Sequence, residues 1–287
     1  MRDFILINYG YDVKKIYNNY FFYNNEKIYI VKLNNNIEYI NDMFNLTNYL
    51  YSKKIFVSTF LYNKKGEYYC KKENEYIILL KINDRDNYIS LNYLKQFQNI
   101  NSNLKEINLL ELYKQEIDDI ELKMVDFNKE HKLLQNSINY FIGCAENAIQ
   151  LLSEYNYIKF EDIGHLIKYY DYTKENFNDF RSFIKVNKMY DIANYIKYNF
   201  YHGNIDYDEI YNIIKNIDNE YEEMILFSCL LYNNFYFDIV NLIIDNKVKD
   251  DKLNIFIDSI NEYEKLLIFC KQNMHKCKWI NLINWFN

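Results

Sequence analysis

Four histidines, five cysteines and a scatter of acids and lysines are the side chains that could do chemistry in these 287 residues. Metal and nucleophilic sites betray themselves by short, regular spacings of such groups. His131, His165, His202 and His275 stand far apart, with no metal-type spacing. Cys70, Cys144, Cys229, Cys270 and Cys277 are scattered and odd in number, with no C-x-x-C pair. Neither a zinc site nor a disulfide framework is predicted, and buried or incidental thiols in a reducing cytoplasm are the expectation. A Cys–His nucleophilic pair has no local signature. With only 5 glycines and no G-x-G-x-x-G, no loop offers a glycine nest for phosphates. The 32 tyrosines could stack on bases or sugars, but so many make chance clusters common.

The balance of charge narrows the partners. A formal net charge of -6 argues against nucleic acid, whose binders carry a basic patch or stripe. No window approaches the ~18 continuous apolar residues of a membrane span, and the N-terminus lacks a signal-peptide layout. Hydrophobic residues make up 49% and charged residues 26%, which describes a globular chain of one large or two small domains. Proline is absent, and Asn, Ile, Lys, Tyr and Phe are all abundant. All five can be written with AT-rich codons, so the bias reads as genomic. Asn then does the turn work that Gly and Pro usually do.

The elements that must position any site fall into two groups. Tyr20–Tyr23 and Lys27–Leu33 read as a hairpin across an Asn-rich turn. Asn34–Asn36 make a second turn, and residues 37–53 read as a helix. Strands are expected over 55–62 and 67–70, joined by the turn Asn63–Gly66, and over 75–82. Beyond the polar stretch 83–87, the one hinge candidate, the pattern reads as helical throughout. Helices are predicted near 89–99, 106–125, 134–155, 189–201, 207–217, 220–232 and 235–245. The clearest apolar stripe runs from Leu253 through Phe256, Ile257, Ile260, Tyr263, Leu266 and Leu267 to Cys270. No fixed-period repeat is visible. The domains are therefore residues 1–83, rich in strands, and 84–287, helical.

One helix is more specific than the rest. Ile138, Phe141, Ile142, Ala145, Ile149 and Leu152 make its buried stripe. The small residues Gly143, Cys144, Ala145 and Ala148 surround the polar pair Glu146-Asn147. That pair either lies on the wet side of a core helix or bonds inside the domain, because buried polar groups need partners.

A small sheet-plus-helix lobe followed by a larger helical lobe is the layout of the protein-kinase-like fold, an α+β class. Within it the chain resembles aminoglycoside/choline phosphotransferase-like proteins, in particular the spore coat kinase-like proteins of the CotS and YutH type. The resemblance covers nearly the whole chain. It is carried by Val57–Tyr69 with Glu75–Ile82, by the Ala145-Glu-Asn-Ala-Ile-Gln150 run, by Tyr190-Asp-Ile-Ala193 and by the terminal Trp279–Phe286.

Active members of that superfamily carry H-G-D-x-x-x-x-N and, roughly twenty residues on, I-D-F, which hold Mg²⁺ and orient the hydroxyl nucleophile. In this chain the resemblance aligns His165 with the histidine. Leu166 and Ile167 fall where the Gly and the catalytic Asp would be, and Tyr172 falls at the metal-binding Asn. Lys185 or Val186 stands at the acid of the second motif. None of these can bind Mg²⁺, so the resemblance implies a degenerate loop with no catalytic residue and no metal site. Asp171, Glu175 and Asp179 are the acids that could take over from shifted positions. Asp191 corresponds to a structural Asp that bonds the backbone of the catalytic loop, and Glu146 and Asn147 are expected to be structural too. Lys32 is the candidate nucleotide-binding lysine, with Glu38 its possible partner. Equally, Lys32 reads as a solvent-facing lysine on an alternating strand, and Glu38 as a first-turn helix acid.

The expected function is a catalytically inactive, kinase-like (pseudokinase) protein that acts by binding or assembly during sporulation. Its partner would be a protein of the spore coat, in an AT-rich bacterium. It would be cytoplasmic, with incorporation in the coat, and would need no cofactor. Two alternatives stand beside it. An active small-molecule phosphotransferase of the aminoglycoside, choline or sugar class, with relocated acids, would use ATP and Mg²⁺. A helical interaction protein carrying a separate small sheet domain would use neither.

Overall fold

The computed structural model describes residues 1–34, 37–82, 89–100, 102–125, 131–154 and 162–283. In chain order, α1 (Arg2–Tyr9) precedes β1 (Tyr20–Tyr23), β2 (Glu26–Leu33), α2 (Ile37–Ser52), β3 (Thr59–Phe60), β4 (Cys70–Lys72) and β5 (Glu75–Lys81). Then come α3 (Leu91–Lys95), α4 (Leu109–Val125), α5 (Lys132–Ser153), β6 (Asp162–His165), α6 (Lys174–Phe177), β7 (Phe183–Val186) and α7 (Met189–Tyr201). Five more helices follow: α8 (Tyr207–Lys215), α9 (Glu220–Leu231), α10 (Asn234–Ile244), α11 (Asn254–Ile257) and α12 (Ile260–Asn273). The fold is α+β, an N-terminal antiparallel sheet followed by a mostly helical part. Contacts group Met1–Tyr88 with Thr173–Phe183 in one unit, and Ile89–Tyr172 with Ile184–Asn287 in another. The hinge candidate at 83–87, the second Asn turn at its Asn35 and Asn36, and Trp285 and Phe286 lie outside the described residues.

In the first unit the strands order β1-β2-β5-β3, with β4 also on β5. The β1–β2 hairpin closes through Asn24 and Asn25, at φ 49 and 63, with Tyr23 opposite Glu26. Two consecutive left-handed residues make the turn whose twist matches the strands, and Asn tolerates them where Gly is scarce. Helix α1, which the sequence did not announce, lays Ile5 and Tyr9 on Phe21, Ile28, Ile77 and Leu79. It ends at Gly10, whose left-handed φ of 84 costs a residue without Cβ least. The strand expected over 55–62 shrinks to Thr59–Phe60. Ser58 N leaves the ladder to donate to Asn178 O at 2.7 Å. The segment after Gly66 does not add its strand there; β4 turns back through Glu73, at φ 55, onto β5.

The second unit is built on α9, buried from Glu222 to Leu231, with α5 and α7 packed against it. Its helices start where short polar side chains meet free amides. Asp206 accepts from Asp208 N and Glu209 N, and Asn219 from Glu222 N. Two expectations change here. The helical pattern is interrupted by β6 and β7, which pair with each other; four-residue strands are too short to show alternation. The stripe from Leu253 to Cys270 is not one helix. Ser259 Oγ donates to Ile255 O at 2.6 Å and to Phe256 O at 3.1 Å, and the chain restarts as α12 at Ile260. The sequence reading also passed over Glu220–Ile244, whose mean hydropathy of 1.3 over an 18-residue window qualifies it to cross a membrane by length and composition. Here Tyr232 and Asn233 break it into α9 and α10, and 78% of that window is buried.

Lys197 ties α7 to both halves of that stretch. Its Nζ lies 2.8 Å from Cys229 O and 3.0 Å from Tyr232 O, with Asn234 Oδ1 beside it. Burial pushes its ammonium down to about 7 from the 10.5 of an exposed lysine. Between those values the unfolded chain holds a proton that the folded chain lacks. Unfolding therefore takes up a proton, and this lysine makes stability rise with pH across that window. Urea unfolding of the wild type and Lys197→Met at pH 7 to 9.5 should show the difference widening in favour of the wild type, by up to ~1.4 kcal/mol per pH unit. A difference that stays constant would contradict this assignment.

Candidate functional site

The segment after β6 holds the residues that the resemblance aligns with phosphotransfer, and three interior aspartates bond main chain in it, in β6 and in the turns beside it. Asp191, from the first turn of α7, accepts from His165 N at 3.0 Å and meets His165 Nδ1 at 2.6 Å. Asp162 accepts from Asn99 N at 2.8 Å and Lys188 N at 3.0 Å. Asp238, on α10, accepts from Tyr169 N at 2.9 Å and pairs with Lys168 at 3.4 Å. Burial raises the Asp238 carboxyl to about 6, against the pull of Lys168. Gly164 is required by packing, since a Cβ there would lie 2.3 Å from Val186 Cγ1. The His165 ring is fully enclosed and sits edge-on to Phe97 at 4.6 Å.

The positions that the resemblance aligns with the acids carry none. Leu166 is 51% exposed, whereas Ile167 is 6% exposed. Tyr172 is buried and stacks on Tyr198 at 4.4 Å. Lys185 donates to Glu106 at 2.9 Å, and Val186 is fully buried. An ammonium already paired, a methyl-bearing side chain and two aliphatic ones give Mg²⁺ no oxygen donor. Among the described residues no group of three or more His, Cys, Asp or Glu side chains could hold a metal ion.

The three displaced acids have separate fates. Asp179, 5% exposed, caps the turn that follows it through Arg181 N at 3.0 Å. Both its oxygens also accept from Arg181 Nε at 2.9 Å, and Nη2 closes a fork on Oδ2. Glu175 pairs with Lys27 at 2.7 Å. Both belong to the first unit. Asp171 belongs to the second and is exposed.

Lys32 lies on β2 opposite Ile77, with Glu75 at 3.9 Å. Glu38 occupies the first turn of α2 and is exposed. A cavity of about 370 Å³ in the first unit joins Lys32 to Met1, Ile16, Asn18, Asn19, Ile30 and Arg181. Sequence reasoning missed Arg181. The signal available was its i+2 spacing from Asp179 at a turn, which lets the fork close locally.

Of the two readings of its polar pair, helix α5 fits the wet side and not bonding inside the domain. Glu146 is exposed, and the half-buried Asn147 returns its amide to Gly143 O at 2.7 Å within the same helix. Its small residues Cys144, Ala145 and Ala148 are buried as the spacing implied, while Ile142 and Ile149 are only half-buried.

No known family model matches the sequence, and neither does any curated protein. The structure is similar to an aminoglycoside phosphotransferase from Alicyclobacillus acidocaldarius, with a TM-score of 0.66 at 12% identity, over 95% of each chain. A spectinomycin phosphotransferase in complex with ADP and spectinomycin aligns with a TM-score of 0.54 at 11% identity, over 95% of this chain and 97% of that one. Its AMP-bound complex gives 0.55 at 10% identity, over 94% and 96%. The chain therefore has the aminoglycoside-phosphotransferase-like kinase fold.

Removing the Asp191 carboxylate should cost the second unit a large share of its stability. Asp191→Ala loses two charge-assisted bonds to a buried segment, worth about 3 kcal/mol or more together. Asp191→Asn keeps an acceptor for His165 N and should lose less than half of that. Chemical unfolding checks the order; equal losses would place the effect in packing instead.

Proposed function

We propose that this chain is a kinase-fold protein that acts by binding and does not transfer phosphoryl groups. The observation that carries the reading is the occupancy of the acid positions around β6 and β7. Leu166, Ile167, Lys185 and Val186 stand there, and Asp179 is forked by Arg181. Phosphoryl transfer rests on positioning and on neutralising charge with metal-held oxygens. An acid already satisfied by a guanidinium is a poor Mg²⁺ ligand, because releasing it would leave a buried charge unpaired. ATP and Mg²⁺ therefore have no chemical role in this proposal. The likeness to spore coat kinase-like proteins supplies the partner class, a coat protein met in the cytoplasm of a sporulating cell.

A second reading has one observation in its favour. Asp171 is exposed and lies in the segment after β6, so it could serve an active small-molecule phosphotransferase. The two readings separate on turnover. Purified protein with ATP or GTP, Mg²⁺ and a panel of aminoglycosides, spectinomycin and choline is expected to release no nucleoside diphosphate above the protein-free rate. Mg²⁺-dependent turnover that disappears in Asp171→Ala or Asp179→Ala would establish the second reading.

A further inference from the structure

We propose that the groove lined by α3, α8 and the start of α7 is a binding site for a small zwitterion, a free α-amino acid with an apolar side chain. The groove lies wholly in the second unit and holds about 350 Å³, within the ~300–1,000 Å³ range of small-molecule sites. Neither Lys32 nor the segment after β6 lines it. Leu91, Lys95 and Gln98 reach it from α3 and the turn that follows, at a spacing of four and then three residues that keeps them on one face. Glu209, Asn212 and Ile213 reach it from α8 by the same rule. Met189 and Ile192 of α7 make an apolar floor with Ile213, and all three are buried.

The charges divide between the helices, and most are already spent. Lys188 pairs with Glu222 at 2.8 Å. Asp206 gives Oδ1 to the amides of Asp208 and Glu209, at 2.9 and 3.1 Å. Glu209 accepts from the Tyr195 hydroxyl at 2.9 Å. Two charged groups of the groove remain. Lys95 on α3 and Asp208 on α8 are exposed, and neither side chain has a partner among the described residues. The groove therefore offers one unspent ammonium from α3 and one unspent carboxylate from α8, with an apolar floor. An amine answers only Asp208, and a carboxylic acid answers only Lys95. An α-amino acid answers both, and the floor takes its side chain. Each exposed pair alone contributes little in water. Affinity then needs both pairs and the floor together, which makes the site selective for a ligand that carries all three parts. Gln98 and Asn212 add amides that can bond either end of it. The site needs no nucleotide and no metal, and the reading of the acid positions does not depend on it.

Isothermal titration at low salt with L-leucine and L-phenylalanine tests it. Isoamylamine and phenethylamine are the same molecules without the carboxylate; isocaproate and hydrocinnamate are the same molecules without the amine. At least one amino acid should saturate at one per chain and bind about tenfold or more tighter than either of its analogues. Lys95→Gln should remove the advantage over the amine and keep the advantage over the acid. Asp208→Asn should do the reverse. Neither change should lower the melting temperature, since both side chains are exposed. Binding of neither amino acid, an amine or acid that binds as tightly as its amino acid, or a variant that keeps both preferences would overturn the proposal.

Discussion

Interior carboxylates spent on main-chain amides hold this protein together. Asp191 fixes the end of β6, Asp162 ties two turns beside it, and Asp238 anchors the chain at Tyr169. Glu223, on the central helix, accepts from His275, Lys276 and Cys277 N and so fastens the chain after α12. A buried carboxylate is tolerable only when its charge is met by donors, and main-chain amides at turns and strand ends have no other partner. The two needs satisfy each other. The consequence is that these acids are engaged by main chain.

The same logic reaches the segment that aligns with phosphotransfer. Its scaffold is intact: Gly164 is small enough to leave room for Val186, His165 is enclosed, and Asp191 holds both its amide and its ring. What stands on the scaffold is aliphatic or cationic. The remaining buried acid of the candidate set, Asp179, is neutralised two residues away by Arg181.

Much of the fold was legible because it rests on local rules. The paired Asn24-Asn25 turn, the helix periods and the Asn and Asp caps are short-range signals, and the layout of sheet before helices follows from them. The misses are tertiary. Helix α1 has eight residues and shows its purpose only against the sheet. β6 and β7 are four-residue strands in a helical neighbourhood. The long stripe ending at Cys270 breaks because one serine hydroxyl competes for helix carbonyls, which periodicity does not register. At the site, the alignment of Leu166, Ile167 and Lys185 could be read from the sequence. The cavity that Arg181 shares with Lys32 could not, because it depends on where a turn near residue 180 comes to rest against β2.

The central claim of the proposed function is that the described residues at the aligned positions offer no acid to a divalent metal. Electron paramagnetic resonance of Mn²⁺, a Mg²⁺ surrogate, titrated into the protein with and without ATP tests it most directly. The account predicts spectra equal to those of free Mn²⁺ and of the Mn²⁺–ATP complex in protein-free buffer. A signal saturating at one Mn²⁺ per chain, and lost in Asp179→Asn or Asp171→Asn, would contradict it.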